Sequence, residues 1–229
     1  MDYTGYLTWK NWHQNEFGTF SKKDAFYFSA LQKKFCLRSY RKILEIGYGN
    51  GSFGGWIKMC HSQLSWVGVE ANPNLVDRAR EAGFDAHADV SKLMNTVDMV
   101  IMLDVLEHME DAQIQNLFNQ FESLVAHDGV IVARVPNASG PFGLANQYGD
   151  PTHVTTISAS RLASYLHSWE ISQLKDIRPL YNGSIPRFAR ELLRSTLRSL
   201  LTAAFRFALA PQPPTILESN IILKFRRKN

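Results

Sequence analysis

The sequence predicts an α/β protein, a mostly parallel sheet with helices on both faces. Three observations carry that expectation. Residues 42–56 run from an apolar stretch, Lys42-Ile43-Leu44-Glu45-Ile46, into Gly47-Tyr48-Gly49-Asn50-Gly51 and then resume with helical apolar spacing. That is the outline of a buried strand, a tight turn and a helix N-terminus. Strand-length apolar runs and helical patterns then alternate along the chain. Glu45, Glu70, Asp89 and Asp104 each stand at the expected carboxyl end of a strand, where ligands of such sheets bind.

The glycines serve a backbone that must take φ > 0 and admit a ligand where a Cβ would clash. Two patterns overlap in them. Gly49-x-Gly51-x-x-Gly54 satisfies the dinucleotide fingerprint, a weak signal alone. Glu45-x-Gly47-x-Gly49-x-Gly51 satisfies another, in which an acid at the strand end precedes the glycines.

Composition narrows the field. At 229 residues, 45% hydrophobic and 20% charged, the chain suits one globular domain with a full core, or one domain plus a small appendage. No apolar stretch approaches the ~20 residues of a membrane span. Residues 1–5 lack the basic and apolar regions of a secretory signal. Cys36 and Cys60 have no metal-type spacing and are expected to be reduced thiols. The expected location is cytoplasmic. The net charge of +4 is uneven: from Arg187 onward nine Lys/Arg against two Glu give +7, which leaves residues 1–186 at −3. No basic, aromatic-interleaved groove points to nucleic acid as substrate.

Taken in order, residues 3–20 are rich in aromatics (Tyr3, Tyr6, Trp9, Trp12, Phe17, Phe20), suited to a lid or to an arm packed on the core. Residues 22–40 read as a helix with Phe26, Ala30, Leu31 and Phe35 as its stripe. Residues 65–70 form a second strand ending in Glu70, nineteen residues past Gly51, an interval that brings the next parallel strand's end beside the first. Its carboxylate can accept both hydroxyls of a ribose. Pro73 opens a helix. Residues 84–89 give a third edge, and 97–103 a fourth strand running into Asp104-Val105-Leu106-Glu107-His108. A helix over 111–126 and an Asp128-Gly129 turn lead to a fifth strand at 130–135, stopped by Pro136. Residues 136–157 are a long loop of the kind that is usually functional. A helix at 159–167 and a strand at 169–177 follow. Residues 185–210 form a basic amphipathic helix, with Arg187, Arg190, Arg194 and Arg198 on one face and Leu193, Leu197, Leu200, Leu201 and Phe205 over much of the rest. The chain closes with an apolar strand at 216–225.

This ordered set resembles the class I S-adenosylmethionine-dependent methyltransferases. The motifs are Glu45-Ile46-Gly47-Tyr48-Gly49-Asn50-Gly51, Val69-Glu70, Asp104-Val105-Leu106-Glu107-His108, Arg134-Val135-Pro136-Asn137 and His153-Val154-Thr155-Thr156-Ile157. The resemblance covers about residues 40–180 and a final strand. It implies a Rossmann-like seven-stranded, mostly parallel sheet with a reversed last strand, and S-adenosyl-L-methionine as cofactor. It divides the chain into an arm and helix over 1–40, a core over 41–183, a basic helical insertion over 184–214 and the final strand over 215–229. By the same resemblance, Glu45 would answer the cofactor's ammonium group through water, and Gly47 and Gly49 would admit its methionine part, with Tyr48 and Gly51 completing the loop. Glu70 would accept the ribose hydroxyls, Ala71 would flank the adenine, Asp89 would receive its amino group and Val90 would lie beside the ring. Leu103 and Asp104 would line the methionine end. A dinucleotide would explain the glycines and Glu70 but leave Glu45 facing no cation. Tyr48 is bulkier than the family's usual residue, and the amphipathic segment is not part of its pattern.

Methyl transfer from a sulfonium is an in-line displacement, so positioning supplies much of the rate. An alcohol acceptor also gains from a general base, for which His153 and His108 are the candidates. Glu107 and Asp104 could hold a divalent metal, but the sequence presents no complete ligand set, and no metal is expected. The other histidines read as surface or capping residues. The Asn/Asp-Pro-Pro-aromatic turn of methyltransferases acting on exocyclic amines of nucleic acids or on protein glutamine is replaced by Leu103-Asp104-Val105-Leu106. Residues 136–156, with Gly149-Asp150-Pro151-Thr152-His153, are most similar to methyltransferases of bacterial surface-polysaccharide biosynthesis. The expected function is therefore O-methylation of a sugar hydroxyl, on a nucleotide sugar or a lipid-linked glycan. A small-molecule or quinone-type O-methyltransferase and a non-catalytic cofactor-binding assembly protein are the alternatives. The 185–210 helix is expected to pack over the site or on a second copy, with peripheral membrane contact as its other reading.

Overall fold

The computed structural model describes residues 16–93, 96–140, 142–177, 185–209 and 217–228. Tyr3, Tyr6, Trp9 and Trp12 of the aromatic arm lie outside the described residues; Phe17 and Phe20 lie within them. In order, the elements are α1 (Lys22–Phe35), β1 (Lys42–Ile46), α2 (Ser52–Cys60), β2 (Ser65–Val69), α3 (Pro73–Glu81), β3 (Ala86–His87), β4 (Val97–Leu103) and α4 (Asp111–Leu124). They continue as β5 (Val125–Pro136), α5 (Leu144–Gly149), α6 (Ala159–Ala163), β6 (Trp169–Lys175), α7 (Ile185–Leu209) and β7 (Asn220–Arg227).

The seven strands form one sheet in the order β3-β2-β1-β4-β5-β7-β6. β7 runs antiparallel to both neighbours, and the remaining pairs are parallel. Both faces are covered, which is why β4 reads as a continuous apolar run: Val97 and the four residues Met99–Met102 are inaccessible to solvent. On one face Ile43, Met99 and Ile101 pack under Phe28, Leu31, Phe53, Trp56 and Leu75 of α1, α2 and α3. On the other, Leu44, Val100 and Met102 join Ile114, Phe118 and Phe121 of α4, with Trp169 and Phe225 from β6 and β7.

Helix starts follow local chemistry. Ser21 and Asp24 close a capping box on α1. Asn72 accepts from the Asn74 amide at the start of α3, where Pro73 takes a first-turn position that has no use for a backbone N–H. The α1 stripe is shifted from expectation: Phe28, Leu31 and Phe35 are buried, whereas Phe26 faces out.

Several boundaries differ from the sequence expectation. α4 stops at Leu124 and β5 begins at once. The register between β4 and β5 then jumps from Val97↔Val125 to Met99↔Val130, so Asp128-Gly129 lies in a bulge within the strand and is not a turn before it. The 136–157 loop contains α5, and β7 is displaced to Asn220–Arg227. The C-terminal arginines belong to that strand: the Arg227 guanidinium donates to the carbonyls of Glu122 and Val125. α7 forms, but Leu193, Leu197, Leu200 and Leu201 are about half exposed or more, and none of its described residues lines the cavity below. The expectation that it packs over the site is not met among those residues.

Candidate active site

A cavity of about 1070 Å³ opens at the carboxyl ends of β1, β2, β4 and β5. One wall is the β1–α2 loop. Gly47, Gly49 and Gly51 all have positive φ, at 66°, 55° and 71°. A Cβ on Gly47 would stand 2.6 Å from Val105 Cγ2, and one on Gly51 would stand 2.2 Å from the Phe17 ring. The loop is thus compressed from both sides, and only bare backbone fits. Gly54, third glycine of the dinucleotide pattern, serves packing within the core, since a side chain there would strike Trp66. Tyr48 is tolerated because Gly68 opposite leaves room for its ring, which packs edge-on against Trp66 and Phe17.

Glu45 is buried at the base of this loop, its Oε2 accepting from Trp66 Nε1 at 2.8 Å. Burial pushes its carboxyl up to about 8; the Trp66 bond pulls the other way and the Glu70 charge adds to the rise. Glu70 ties the loop to β2, accepting from the Gly49 amide through Oε2 and from the Asn72 amide through Oε1, both at 3.1 Å. Its burial likewise raises its carboxyl, against the pull of those amides. Ala71, Asp89 and Val90 continue the same wall. Asp89 caps a single turn by accepting from the Ser91 amide at 2.7 Å, which holds its carboxyl below the usual range.

Leu103 and Asp104 form the floor. Asp104 adopts a left-handed backbone, φ 58°, and meets Arg134 of the neighbouring β5 through both carboxylate oxygens. Desolvation works against the guanidinium's charge, but Asp104 overcomes it and raises its pKa. The guanidinium also lies 5.0 Å over the Tyr27 ring, whose hydroxyl donates to Asp176.

The opposite wall comes from a single turn at Leu106–His108 and from the loop that follows β5. Glu107 is fully buried. Its main-chain carbonyl accepts from both Val154 and Thr155 amides, at 2.9 and 3.1 Å, which seats the loop against β4. That junction brings the His153 and His108 rings to 4.6 Å. His153 Nδ1 donates to the Gln147 carbonyl at 2.9 Å, leaving Nε2 with its lone pair in the neutral ring. Nε2 stands 4.0 Å from Glu107 Oε1 and 3.8 Å from Asp150 Oδ2. His108 Nδ1 donates toward the carbonyl and hydroxyl oxygens of Thr152, at 3.2 and 3.0 Å. Burial pushes the Glu107 carboxyl up to about 8, with the Asp104 charge adding to it.

All of the sequence-selected residues except Gly51 line this one cavity; Gly51 is covered by Phe17. Arg134, Tyr27, Glu107, Asp150 and Gln147 complete the site without having been selected for it. Glu107, Arg134 and Asp150 stand in motifs that the sequence singles out, whereas Tyr27 and Gln147 carry no such signal. Of the remaining histidines, His61 is buried against Trp56 and His87 pairs with Asp85 at 2.8 Å, so neither is an idle surface group.

The model of one protein family, described as a methyltransferase domain, matches residues 19–176. A SAM-dependent methyltransferase from Archaeoglobus fulgidus has a similar structure, with TM-score 0.61 and 16% identity over 98% of this chain and all of that one. The plantazolicin methyltransferase BpumL, solved with SAH, gives 0.58 and 13% over 99% and 91%. The mitomycin 7-O-methyltransferase MmcR gives 0.60 and 12% over 89% of this chain and 54% of that one. No curated protein matches the sequence. The cavity fits S-adenosylmethionine: it has room for a nucleoside joined to an amino acid, a backbone cradle that a Cβ would fill, and a buried acid beside that cradle. The chain belongs to the methyltransferase domain family, as an enzyme whose methyl donor is S-adenosyl-L-methionine.

Proposed function

We propose that the enzyme O-methylates a sugar hydroxyl, on a nucleotide sugar or a lipid-linked glycan of polysaccharide biosynthesis. When bound, S-adenosylmethionine supplies an electrophilic methyl group for in-line displacement by the acceptor oxygen. Glu45 faces its ammonium group through water, and Gly47 and Gly49 admit the methionine part against bare backbone. Tyr48 and Gly51 shape that loop, Gly51 from behind it. Glu70 accepts the ribose hydroxyls, Ala71 and Val90 flank the adenine, and Asp89 receives its amino group. Leu103 and Asp104 line the methyl-bearing end. Residues 41–183 and 215–229 serve as the catalytic core, with 1–40 and 184–214 as additions. Lys23, Asp24, Tyr27 and Phe28 of α1 line the cavity, which supports a covering role for the first forty residues.

The observation that carries an alcohol acceptor is the imidazole pair across the cavity from the glycine loop. With Nδ1 held by Gln147, His153 presents Nε2 as the base that takes the hydroxyl proton, and His108 stands beside it. For a lipid-linked acceptor, α7 supplies a membrane-facing element. It combines exposed Leu193, Leu197, Leu200 and Leu201 with exposed Arg190 and Arg194 and half-buried Arg198, although no helix among the described residues is long and apolar enough to cross a membrane. The protein would then work at the cytoplasmic face of an anionic membrane.

Incubation with methyl-labelled cofactor and, in parallel, nucleotide sugars, glycolipids and phenols tests this reading. Label in a glycan, recovered on a monosaccharide after acid hydrolysis, is the expected result. Label confined to phenols would replace the sugar with a small aromatic acceptor, and tight cofactor binding without label anywhere would leave an assembly protein.

A further inference from the structure

Glu107 is anomalous as a buried acid. It has no solvent exposure, and neither carboxylate oxygen has a hydrogen-bond partner. A carboxylate in that position is costly unless a positive charge answers it. Asp104's carboxylate holds the nearby guanidinium of Arg134 in a two-point pair, so that cation is already engaged. What does face Glu107 is a pair of imidazoles. One donor atom from each of Glu107, His108 and His153 lies within 4.8 Å of the other two.

We propose that Glu107, His108 and His153 bind one divalent first-row transition cation, with the cation's open position facing the acceptor end of the cavity. Two imidazoles and one carboxylate are a donor set suited to Zn²⁺ and its neighbours and poorly suited to Mg²⁺ or Ca²⁺, which prefer oxygen. Each imidazole engages a backbone carbonyl through Nδ1, Gln147 for His153 and Thr152 for His108, the outer bond that fixes the tautomer of a ligating histidine. Ligand bonds of about 2.1 Å place tetrahedral donors about 3.4 Å apart. The donors must contract from 4.0 Å between His153 Nε2 and Glu107 Oε1, and from within 4.8 Å for the other pairs, which side-chain rotation would supply. Three protein ligands leave the fourth position to water or to an acceptor oxygen.

This site deepens the O-methylation reading, and its catalytic role rests on that reading. A cation at this point lowers the pKa of the coordinated hydroxyl, whose proton then leaves to bulk water, and replaces His153 as the activating agent. Cation binding itself does not depend on which acceptor is used.

Tag-free protein stripped with chelator and titrated with Zn²⁺ and Mn²⁺ tests the proposal by bound-metal analysis and calorimetry. The wild type should take up about one equivalent of Zn²⁺ per chain, and Glu107→Gln should weaken binding at least about tenfold. His153→Ala should do the same. Unchanged S-adenosylmethionine affinity in Glu107→Gln serves as the check that the variant is folded. Zn²⁺ and Mn²⁺ uptake no greater in the wild type than in the Glu107→Gln/His153→Ala double variant would overturn the site. Chelator-insensitive methylation of a sugar would overturn its catalytic role, whereas stoichiometric Zn²⁺ uptake with no sugar methylated would retain the site and remove the sugar.

Discussion

Asp104 and Arg134 face one another across neighbouring parallel strands, joined through both carboxylate oxygens, with Asp104 in a left-handed backbone conformation. The pair fixes the floor between the glycine-loop wall and the wall that carries His108 and His153. Replacing Asp104 with Ala leaves the largely buried guanidinium without its partner and should cost about 1–3 kcal/mol. Asp104→Gly loses the same pair but relaxes the backbone, a difference of about 1–2 kcal/mol. Urea denaturation should therefore rank wild type above Asp104→Gly and Asp104→Ala last. The reverse order of the two variants would mean that the left-handed conformation carries no strain.

Glu45 makes stability depend on pH. Its folded-state pKa of about 8 lies above the ~4.3 of an unfolded glutamic acid. Between those values the folded chain holds a proton that the unfolded chain has lost, so its contribution falls as pH rises and levels off above about 8. Glu45→Gln keeps an acceptor for Trp66 and has nothing to titrate. The unfolding free energy of the wild type relative to Glu45→Gln should drop with a limiting slope of about 1.4 kcal/mol per pH unit. Denaturation curves at fixed ionic strength from pH 5 to 8 measure it, and a flat difference would refute it. Saturating S-adenosylmethionine, whose ammonium favours the ionised form, should reduce the slope.

Gly51 and Phe17 are predicted to be coupled. Gly51→Ala forces a Cβ into the Phe17 ring at positive φ, and should destabilise by at least about 1–2 kcal/mol from the backbone alone. In a Phe17→Ala background the steric part disappears. A double-mutant cycle should then give a coupling of about 0.5–3 kcal/mol, and additive effects would show that the ring moves aside freely.

If His153 activates the acceptor, as base or as ligand, His153→Ala should lower kcat by about 10²–10⁴. Cofactor affinity should stay within about twofold, since the ring lies across the cavity from the glycine loop. Equal losses in both would assign His153 to folding of the loop.

Membrane contact through α7 has a simple readout. Sedimentation with anionic vesicles should be seen at low salt and fade as ionic strength rises, because the Debye length shrinks from about 30 Å at 0.01 M to about 10 Å at 0.1 M. No sedimentation at low salt would leave self-association as the reading of its exposed leucines.

What the sequence made legible was local. β1, the glycine loop and β4 are each encoded within fewer than fifteen consecutive residues, by apolar continuity and by the glycines' freedom. The reversed strand β7 was visible as an apolar run, but its register was not, because Arg226 and Arg227 lie in a strand whose last pairings only the fold provides. α5 was missed since its six residues contain glycine and few periodic apolar positions. The Glu107–His108–His153 cluster depends on contacts across some forty residues, with the Glu107 carbonyl as the link. No spacing rule within a single segment could have found it. Asp104 and Arg134 each stood out in the sequence, but their pairing did not, since the two meet only through β4–β5 pairing.

The two amides that converge on the Glu107 carbonyl have an evolutionary consequence. They anchor the chain at Val154 and Thr155, downstream of α5, which lines part of the cavity. Insertions or replacements upstream of Gln147 can therefore reshape the cavity mouth while Gln147 and the two amides keep His153 in place. The mouth of the cavity can thus change on one stretch of the loop while the junction between His153 and Glu107 is kept on another.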